Sequence, residues 1–305
     1  MDIFNFINNE TSIEKLKNFA SNYIRLLYDK TMNTSHRAEV MEFIISNLDL
    51  SSAFPYFDSP KVSIVIPVKN EYTLTCALLN SIKKNTQNID FEVIIADDNS
   101  DDETVNIEKK FKNIRRIINN TGHDGFVYNV NNAISHAKGE YIFLMNNDMI
   151  TLPNYLSELL NIMEKDETIG IAGSKILSID NTIAECGLIM EKGGYIGFPY
   201  AGEKADFLDD KDYIDCDYCS ASAILFKRLI FINSGLFDTD FAPAYFDDSD
   251  FAFNLKYNFN LKSVCVPKSK LYHFFNMSYS NCPDRNESFL KNRKLFTQKW
   301  GKYLN

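Results

Sequence analysis

From Lys61 onward the chain alternates compact apolar runs with longer stretches whose apolar positions recur every three or four residues. Residues 62–67, 91–96, 114–118 and 141–145 are rich in β-branched and aromatic side chains, the composition of buried strands. Between them, Leu74, Ala77, Leu78 and Ile82 carry helical spacing, as do residues 102–111 and 126–137. Repeated βα units of this length predict an α/β domain built on a mostly parallel sheet with helices on both faces. Further strands are expected over 169–174 and 263–267. From about Ser174 to Tyr218 the rhythm breaks into glycines, aromatics and loops, the kind of region in which substrate choice often resides.

The first 58 residues follow another pattern. Thr11-Ser12-Ile13-Glu14 has the form of a capping box, and Ile13, Leu16, Phe19, Tyr23, Leu26 and Leu27 then fall on one helical face. A second helix is expected over 35–48, using Val40, Met41, Ile44 and Ile45. Phe54-Pro55-Tyr56 and Ser59-Pro60 read as a linker. The expected division is a helical extension over 1–58 and a catalytic-sized domain over 59–305. The extension reads either as a hairpin packed on the domain or as a surface for a protein partner or membrane face.

A net charge of −9 excludes a general nucleic-acid binder, which needs a basic face. The start of the chain lacks a basic, then apolar, leader and no run is long enough to span a bilayer. Six cysteines without framework spacing suit a reducing compartment. The expectation is therefore a cytoplasmic protein, with peripheral association at the inner face of the plasma membrane left open. Cys216-Asp217-Tyr218-Cys219 lacks the second ligand pair of a zinc site and reads as buried small residues.

Two apolar runs end abruptly in oxygen-rich clusters. Residues 91–96 lead into Asp97-Asp98-Asn99-Ser100-Asp101-Asp102, and residues 141–145 lead into Asn146-Asn147-Asp148. Open α/β sheets bind ligands at the carboxyl ends of their strands, so these clusters suit a hydroxylated ligand and a hard cation. Neither GxGxxG nor GxxxxGK[ST] is present, so a nucleotide would have to be held through carboxylates and a cation bridging to its diphosphate. Tyr245-Phe246-Asp247-Asp248-Ser249-Asp250 sets three carboxylates at an expected helix start, either as dipole-favoured charge or as a general base for a sugar hydroxyl. His273 follows a strand and is either structural or a ligand to metal or phosphate.

Taken together, Val62-Ser63-Ile64-Val65-Ile66-Pro67-Val68-Lys69-Asn70-Glu71, the cluster around Asp98, Gly125-Phe126 with Asn131-Asn132, Asn146-Asn147-Asp148, Gly235-Leu236-Phe237-Asp238, the Asp247–Asp250 cluster and His273 resemble the family 2 glycosyltransferases of GT-A fold. The resemblance implies an inverting transferase using a nucleotide-diphosphate sugar, UDP-linked by expectation, with Mn²⁺ or Mg²⁺. It implies a saccharide or lipid-linked acceptor in surface-glycan or polysaccharide synthesis. By position, Pro67, Val68, Asn70 and Glu71 would line the nucleobase pocket and Asp98 would contact the base. Gly125, Asn131 and Asn146 would lie on the donor side. Asp148 and His273 would hold the cation, and Asp248 would be the base, with Asp247 and Asp250 as competitors. Lys69 stands where the family often has Tyr, Asn146 replaces a second carboxylate, and Ala221 stands where Gly is frequent. Two rival readings are a nucleotidyltransferase, which would need a basic glycine-rich loop after the first strand, and a non-catalytic glycan- or partner-binding module.

Overall fold

The computed structural model describes residues 52–178, 181–273 and 285–304. The expected N-terminal helices, the capping box at Thr11 and Cys282 lie outside these residues. The elements, in chain order, begin with β1 (Ser52–Ala53), β2 (Val62–Val68), α1 (Tyr72–Asn85), β3 (Phe91–Asp97), α2 (Ile107–Lys110), β4 (Phe111–Lys112) and β5 (Ile114–Ile118). They continue with α3 (Phe126–Ser135), β6 (Tyr141–Met145), β7 (Met149–Thr151), α4 (Tyr155–Lys165), β8 (Ile169–Leu177) and β9 (Ile183–Glu185). A small hairpin of β10 (Ile189–Glu191) and β11 (Tyr195–Gly197) precedes β12 (Ile214–Cys216), β13 (Ala223–Lys227) and α5 (Arg228–Asn233). The chain closes with α6 (Asp247–Asn258), β14 (Lys262–His273) and α7 (Arg285–Trp300).

The principal sheet runs β12-β14-β8-β13-β6-β2-β3-β5, with β7 on β14 and β9 on β8. The expected parallel arrangement holds for β6, β2, β3 and β5, and again between β8 and β14. Strand β13 joins the two groups antiparallel to both neighbours. The sheet is therefore mixed, and β13 brings its leading end to the place where β6 finishes: Ala223 faces Met145.

Alternation along the strands builds two cores. In β6, Tyr141, Phe143 and Met145 pack on the face covered by α1 and α4, whereas Ile142 and Leu144 pack on the face covered by α3, α6 and α7. Fully burying one such side chain contributes about 1.5–3 kcal/mol, so both helical layers are firmly attached. Among the aromatics of the second face, Phe226, Phe231, Phe237 and Phe251 meet edge to face or tilted at 5.0–5.6 Å. That cluster sets the start of α6 against the sheet.

Two expectations change. The segment expected as a helix over 102–111 is a 3₁₀ turn and a one-turn helix, because Phe111 is needed in the core and pairs as a strand with β1. The expected linker at Phe54 is part of the domain: Phe54 is buried, sits edge to face on Phe91 at 6.1 Å, and donates its backbone N–H to Lys112.

Candidate functional site

The loops after β2 and β3 are fastened to one another. Asn70 and Glu71 adopt consecutive left-handed conformations, with φ of 61° and 59°. The Asn70 side-chain oxygen accepts from the backbone N–H of Asp101 at 2.8 Å and of Asp102 at 3.3 Å, and its own N–H donates to Ser100. The Asp102 carboxylate accepts from the N–H groups of Tyr72 and Thr104. Asp97 is fully buried against Arg116, which donates through Nε at 2.6 Å. This leaves Asp98 at the rim. Its carboxylate accepts from the Asn119 amide at 2.6 Å and the Gly125 N–H at 3.0 Å, and Lys69 Nζ lies 3.7 Å away. Gly125 has φ +109°, and a Cβ there would meet the Pro243 Cβ at 2.6 Å. Only glycine lets this N–H reach Asp98 under the Pro243 loop.

Strand β6 ends in a tight turn into β7. Asn146 donates its N–H to the Ser222 carbonyl at 3.0 Å, and the Asn147 amide donates to Thr75 Oγ1 on α1 at 3.2 Å. Asp148 is buried and points to the end of β14, where His273 Nε2 lies 2.9 Å from its Oδ1. The pairing of His273 with Met149 in the β7–β14 ladder fixes this meeting.

The third wall is the start of α6. Tyr245 and Phe246 are again consecutive left-handed residues, at φ 78° and 64°. The preceding loop is held from α7: the buried Asn292 amide donates to the carbonyls of Phe241, Ala244 and Tyr245 at 2.6, 2.9 and 3.1 Å. Strained backbone held in place by surrounding structure is common at functional sites. Asp248 accepts from the N–H groups of Ala221 at 3.1 Å and Ser249 at 2.7 Å. Burial raises its pKa to about 6 against the lowering effect of those two donors, a value suited to a base working near neutrality. Burial, with Asp248 beside it, pushes Asp247 further up. Asp250 is committed elsewhere, accepting from Trp300 Nε1 at 2.7 Å and pairing with Lys299 at 2.9 Å. Of the three competitors for base, Asp248 is the one that is both part-exposed and raised into the working range.

The Glycosyl transferase family 2 model matches residues 63–229, more than half of the chain. The chain belongs to glycosyl transferase family 2. Its fold is GT-A: the structure superposes on GalNAc-T7, solved with UDP, GalNAc and Mn²⁺, with a TM-score of 0.62 at 15% identity, covering 80% of this chain and 48% of that one. An O-antigen biosynthesis protein, RfbC of Myxococcus xanthus, is 28% identical over 229 residues, 72% of this chain and 18% of that protein. A GalNAc(5)-diNAcBac-PP-undecaprenol β-1,3-glucosyltransferase of Campylobacter jejuni is 26% identical over 181 residues, 57% of this chain and 54% of the enzyme. The chain thus spans between about a fifth and about half of these relatives. The family match ends before Asp248 and His273, so their assignment rests on the geometry above.

Within this family 2 domain, the expected site residues divide into two groups. Asp98, Gly125, Asn146, Asp148, Asp248 and His273 occur at the same end of the sheet, where Asp98 is bonded to Gly125 and Asp148 to His273, while Asn146 and Asp248 are both anchored on the 221–222 segment. Pro67 is half-buried at the end of β2, and Glu71 caps α1 by accepting from Thr75. Three of the expected residues are engaged within the protein. The Val68 side chain is in the core, leaving only its backbone at the rim, where its carbonyl accepts from the Asp98 N–H. The Asn70 side-chain oxygen is committed to the β3 loop, so Asn70 shapes the pocket wall rather than offering that oxygen to a base. The Asn131 amide is committed at both ends to the backbone of Phe237, donating at 2.9 Å and accepting at 3.1 Å. It ties α3 to that loop.

Asn292, Asn119, Thr75 and the Ala221 N–H carry no signal in the sequence, because each acts through a partner remote along the chain. Cys219 packs so tightly on Gly173 that a Cβ there would meet its sulfur at 2.4 Å. Among the described residues, no three His, Cys, Asp or Glu side chains converge as a metal cage. Asp148 and His273 nevertheless fit a divalent cation, offering one hard carboxylate oxygen and one imidazole nitrogen at a single place. Mg²⁺-type sites commonly use one or two carboxylates and complete the shell with substrate phosphates and water.

Proposed function

We propose that this chain is an inverting glycosyltransferase that moves a sugar from a nucleotide-diphosphate donor, UDP-linked by preference, to a saccharide or lipid-linked acceptor in surface-glycan assembly. The observation that carries the reading is the division of labour at one sheet end. Asp248, a carboxylate with a pKa of about 6, stands apart from the Asp148–His273 pair. Inversion by a single displacement needs one base for the acceptor hydroxyl and charge compensation for the departing diphosphate. Asp248 takes the hydroxyl proton while Ala221 and Ser249 N–H groups orient its oxygens. Asp148 and His273 would hold a divalent cation, which when bound would supply charge neutralisation for the diphosphate. Asp98, with Asn119 and Gly125 fixing its oxygens and Lys69 beside it, faces the nucleobase. The activities for which the relatives are named support glycan synthesis as the setting.

Among the described residues no helix is long and apolar enough to cross a membrane. We further propose that the domain works at the cytoplasmic face, with the segment before β1 docking a partner or the bilayer. The test is release of nucleotide diphosphate from UDP-glucose, UDP-N-acetylglucosamine, UDP-N-acetylgalactosamine and GDP-mannose, with and without Mn²⁺. Metal-dependent turnover of at least one is expected. Absence of binding of all four with metal present would refute the reading.

A further inference from the structure

Cys216-Asp217-Tyr218-Cys219, which the sequence reads as buried small residues, folds so that its two thiols touch. Cys216 closes β12 opposite Ser263 of β14, and its sulfur lies 3.5 Å from that of Cys219. The Cys219 thiol donates to the Val264 carbonyl at 3.4 Å, so Cys216 is the donor between the two sulfurs. Two glycines make room for them: a Cβ on Gly187 would meet the Cys216 Cβ at 2.9 Å, and one on Gly173 would overlap Cys219. Both thiols are free; Cys219 is buried and Cys216 half-buried, so the pair is reached from solvent through Cys216. A second free pair, Cys186 and Cys265, stands 3.6 Å apart with both members buried.

The chain leading up to Cys219 is fixed. Cys216 is held in the β12–β14 ladder. Asp217 accepts from the Met190 N–H at 3.0 Å and pairs with Lys256 at 3.0 Å. The Tyr218 carbonyl accepts from the Leu188 N–H at 2.9 Å. Drawing the sulfurs from 3.5 Å to a bonded separation of about 2.05 Å therefore falls on Cys219. Cys219 continues directly into Ser220, Ala221 and Ser222. This segment donates the Ala221 N–H to Asp248 and accepts the Asn146 N–H at the Ser222 carbonyl. A bond between the sulfurs thus displaces the segment that orients the base.

We propose that Cys216 and Cys219 are a redox-active pair, closed to a disulfide by a peroxide and reopened by a dithiol, and that closure slows transfer. The Cys216 sulfur attacks hydrogen peroxide, breaking its O–O bond to give a sulfenic acid and water. The Cys219 sulfur then attacks the Cys216 sulfur. The S–S bond forms, the S–O bond breaks, and the hydroxyl leaves with the Cys219 proton as a second water. Two thiols are oxidised and one peroxide is reduced to two waters. In reducing compartments, disulfides are characteristically transient and sensing ones of this kind. The Cys186–Cys265 pair is sealed from solvent and stays reduced. The effect on transfer rests on the glycosyltransferase reading; the disulfide itself does not.

The test uses the full chain, first reduced and then exposed to hydrogen peroxide, with remaining thiols alkylated before digestion by trypsin. The peptide 212–227 contains Cys216 and Cys219 and no other cysteine. After peroxide it is expected to be unalkylated and two hydrogens lighter than its reduced form, and dithiothreitol should restore it. Turnover of whichever of the four nucleotide sugars above the wild type uses should fall by about 10–100-fold on closure and return with dithiothreitol, the scale of loss expected when a catalytic group is misplaced by about 1 Å. C216S should turn over donor as the reduced wild type does and should not respond to peroxide. A 212–227 peptide that stays fully alkylated, or that carries sulfinic acid at Cys216, overturns the pair. So does a Cys186–Cys265 link in its place, or a zinc ion found by metal analysis on the four thiolates of the purified protein. A disulfide that leaves turnover unchanged overturns the link to the base. If the reduced wild type turns over no donor, the transferase reading fails, and the peptide mass still decides whether the pair closes.

Discussion

The imidazole of His273 lies 2.9 Å from the Asp148 carboxylate, although 125 positions separate them in the sequence. The ladder that sets Met149 opposite His273 brings them together, so the pair exists only once β7 and β14 are formed. Asp148→Ala is expected to abolish Mn²⁺-dependent donor turnover, by at least about 100-fold, because cation ligands and their partners typically carry effects of this size. Asn147→Ala removes a hydrogen bond to Thr75 but no charge, and should change turnover by no more than a few-fold. Titration of activity with Mn²⁺ checks both, and equal losses in the two variants would contradict the assignment.

Asp248→Asn should lower transfer by about 10²–10⁴-fold with donor affinity retained, the range expected for a general base. In the wild type, kcat/KM should rise with pH through about 6 and level off above it, since the base acts ionised. The stability effect has the opposite sense. The folded-state value exceeds the ordinary 3.8, so ionising Asp248 penalises the native state. The penalty is absent below about pH 4 and complete above about pH 6, so this residue's contribution falls as pH rises through that window. Asp248→Asn should therefore raise Tm at pH 7.5, on the order of a few degrees, while abolishing transfer. A pH–rate profile and thermal melts at pH 4 and 7.5 read both.

Asp250→Ala tests the neighbouring carboxylate. It removes the acceptor of Trp300 Nε1 and the partner of Lys299, leaving both polar groups poorly satisfied at the α6–α7 contact. A loss of about 3 kcal/mol in stability is expected, with kcat of the folded fraction within a few-fold of wild type. Trp300 is the chain's one tryptophan, so a change in its emission reports the broken contact directly. A kcat loss matching that of Asp248→Asn would make Asp250 the base instead.

Asn131→Ala should destabilise by about 1–3 kcal/mol, because two Phe237 backbone groups lose their partner. Donor KM should stay within a factor of two or three. Urea unfolding alongside donor kinetics separates the two effects, and a large KM change in a stable variant would restore Asn131 to the donor side.

The sequence alone determined the strands that frame the site and the chemistry at their ends. Residues 62–67, 91–96 and 141–145 are apolar runs closed by Asn, Asp and Glu, and both strand burial and strand-end polarity are properties of neighbouring residues. The same locality explains what it left open. Asp247, Asp248 and Asp250 are indistinguishable as a string of carboxylates. Only the packing of α6 against α7 and the 220–222 segment assigns Asp250 to Trp300 and Asp248 to the Ala221 N–H. The antiparallel insertion of β13 and the tie from Asn131 to Phe237 depend on partners dozens of residues away. Asn146-Asn147-Asp148 likewise announced an oxygen-rich strand end, but its imidazole partner came from the last strand of the sheet. Short-range patterning specifies elements and their ends, whereas charge partners and carboxylate exposure are set by tertiary contacts that no local pattern encodes.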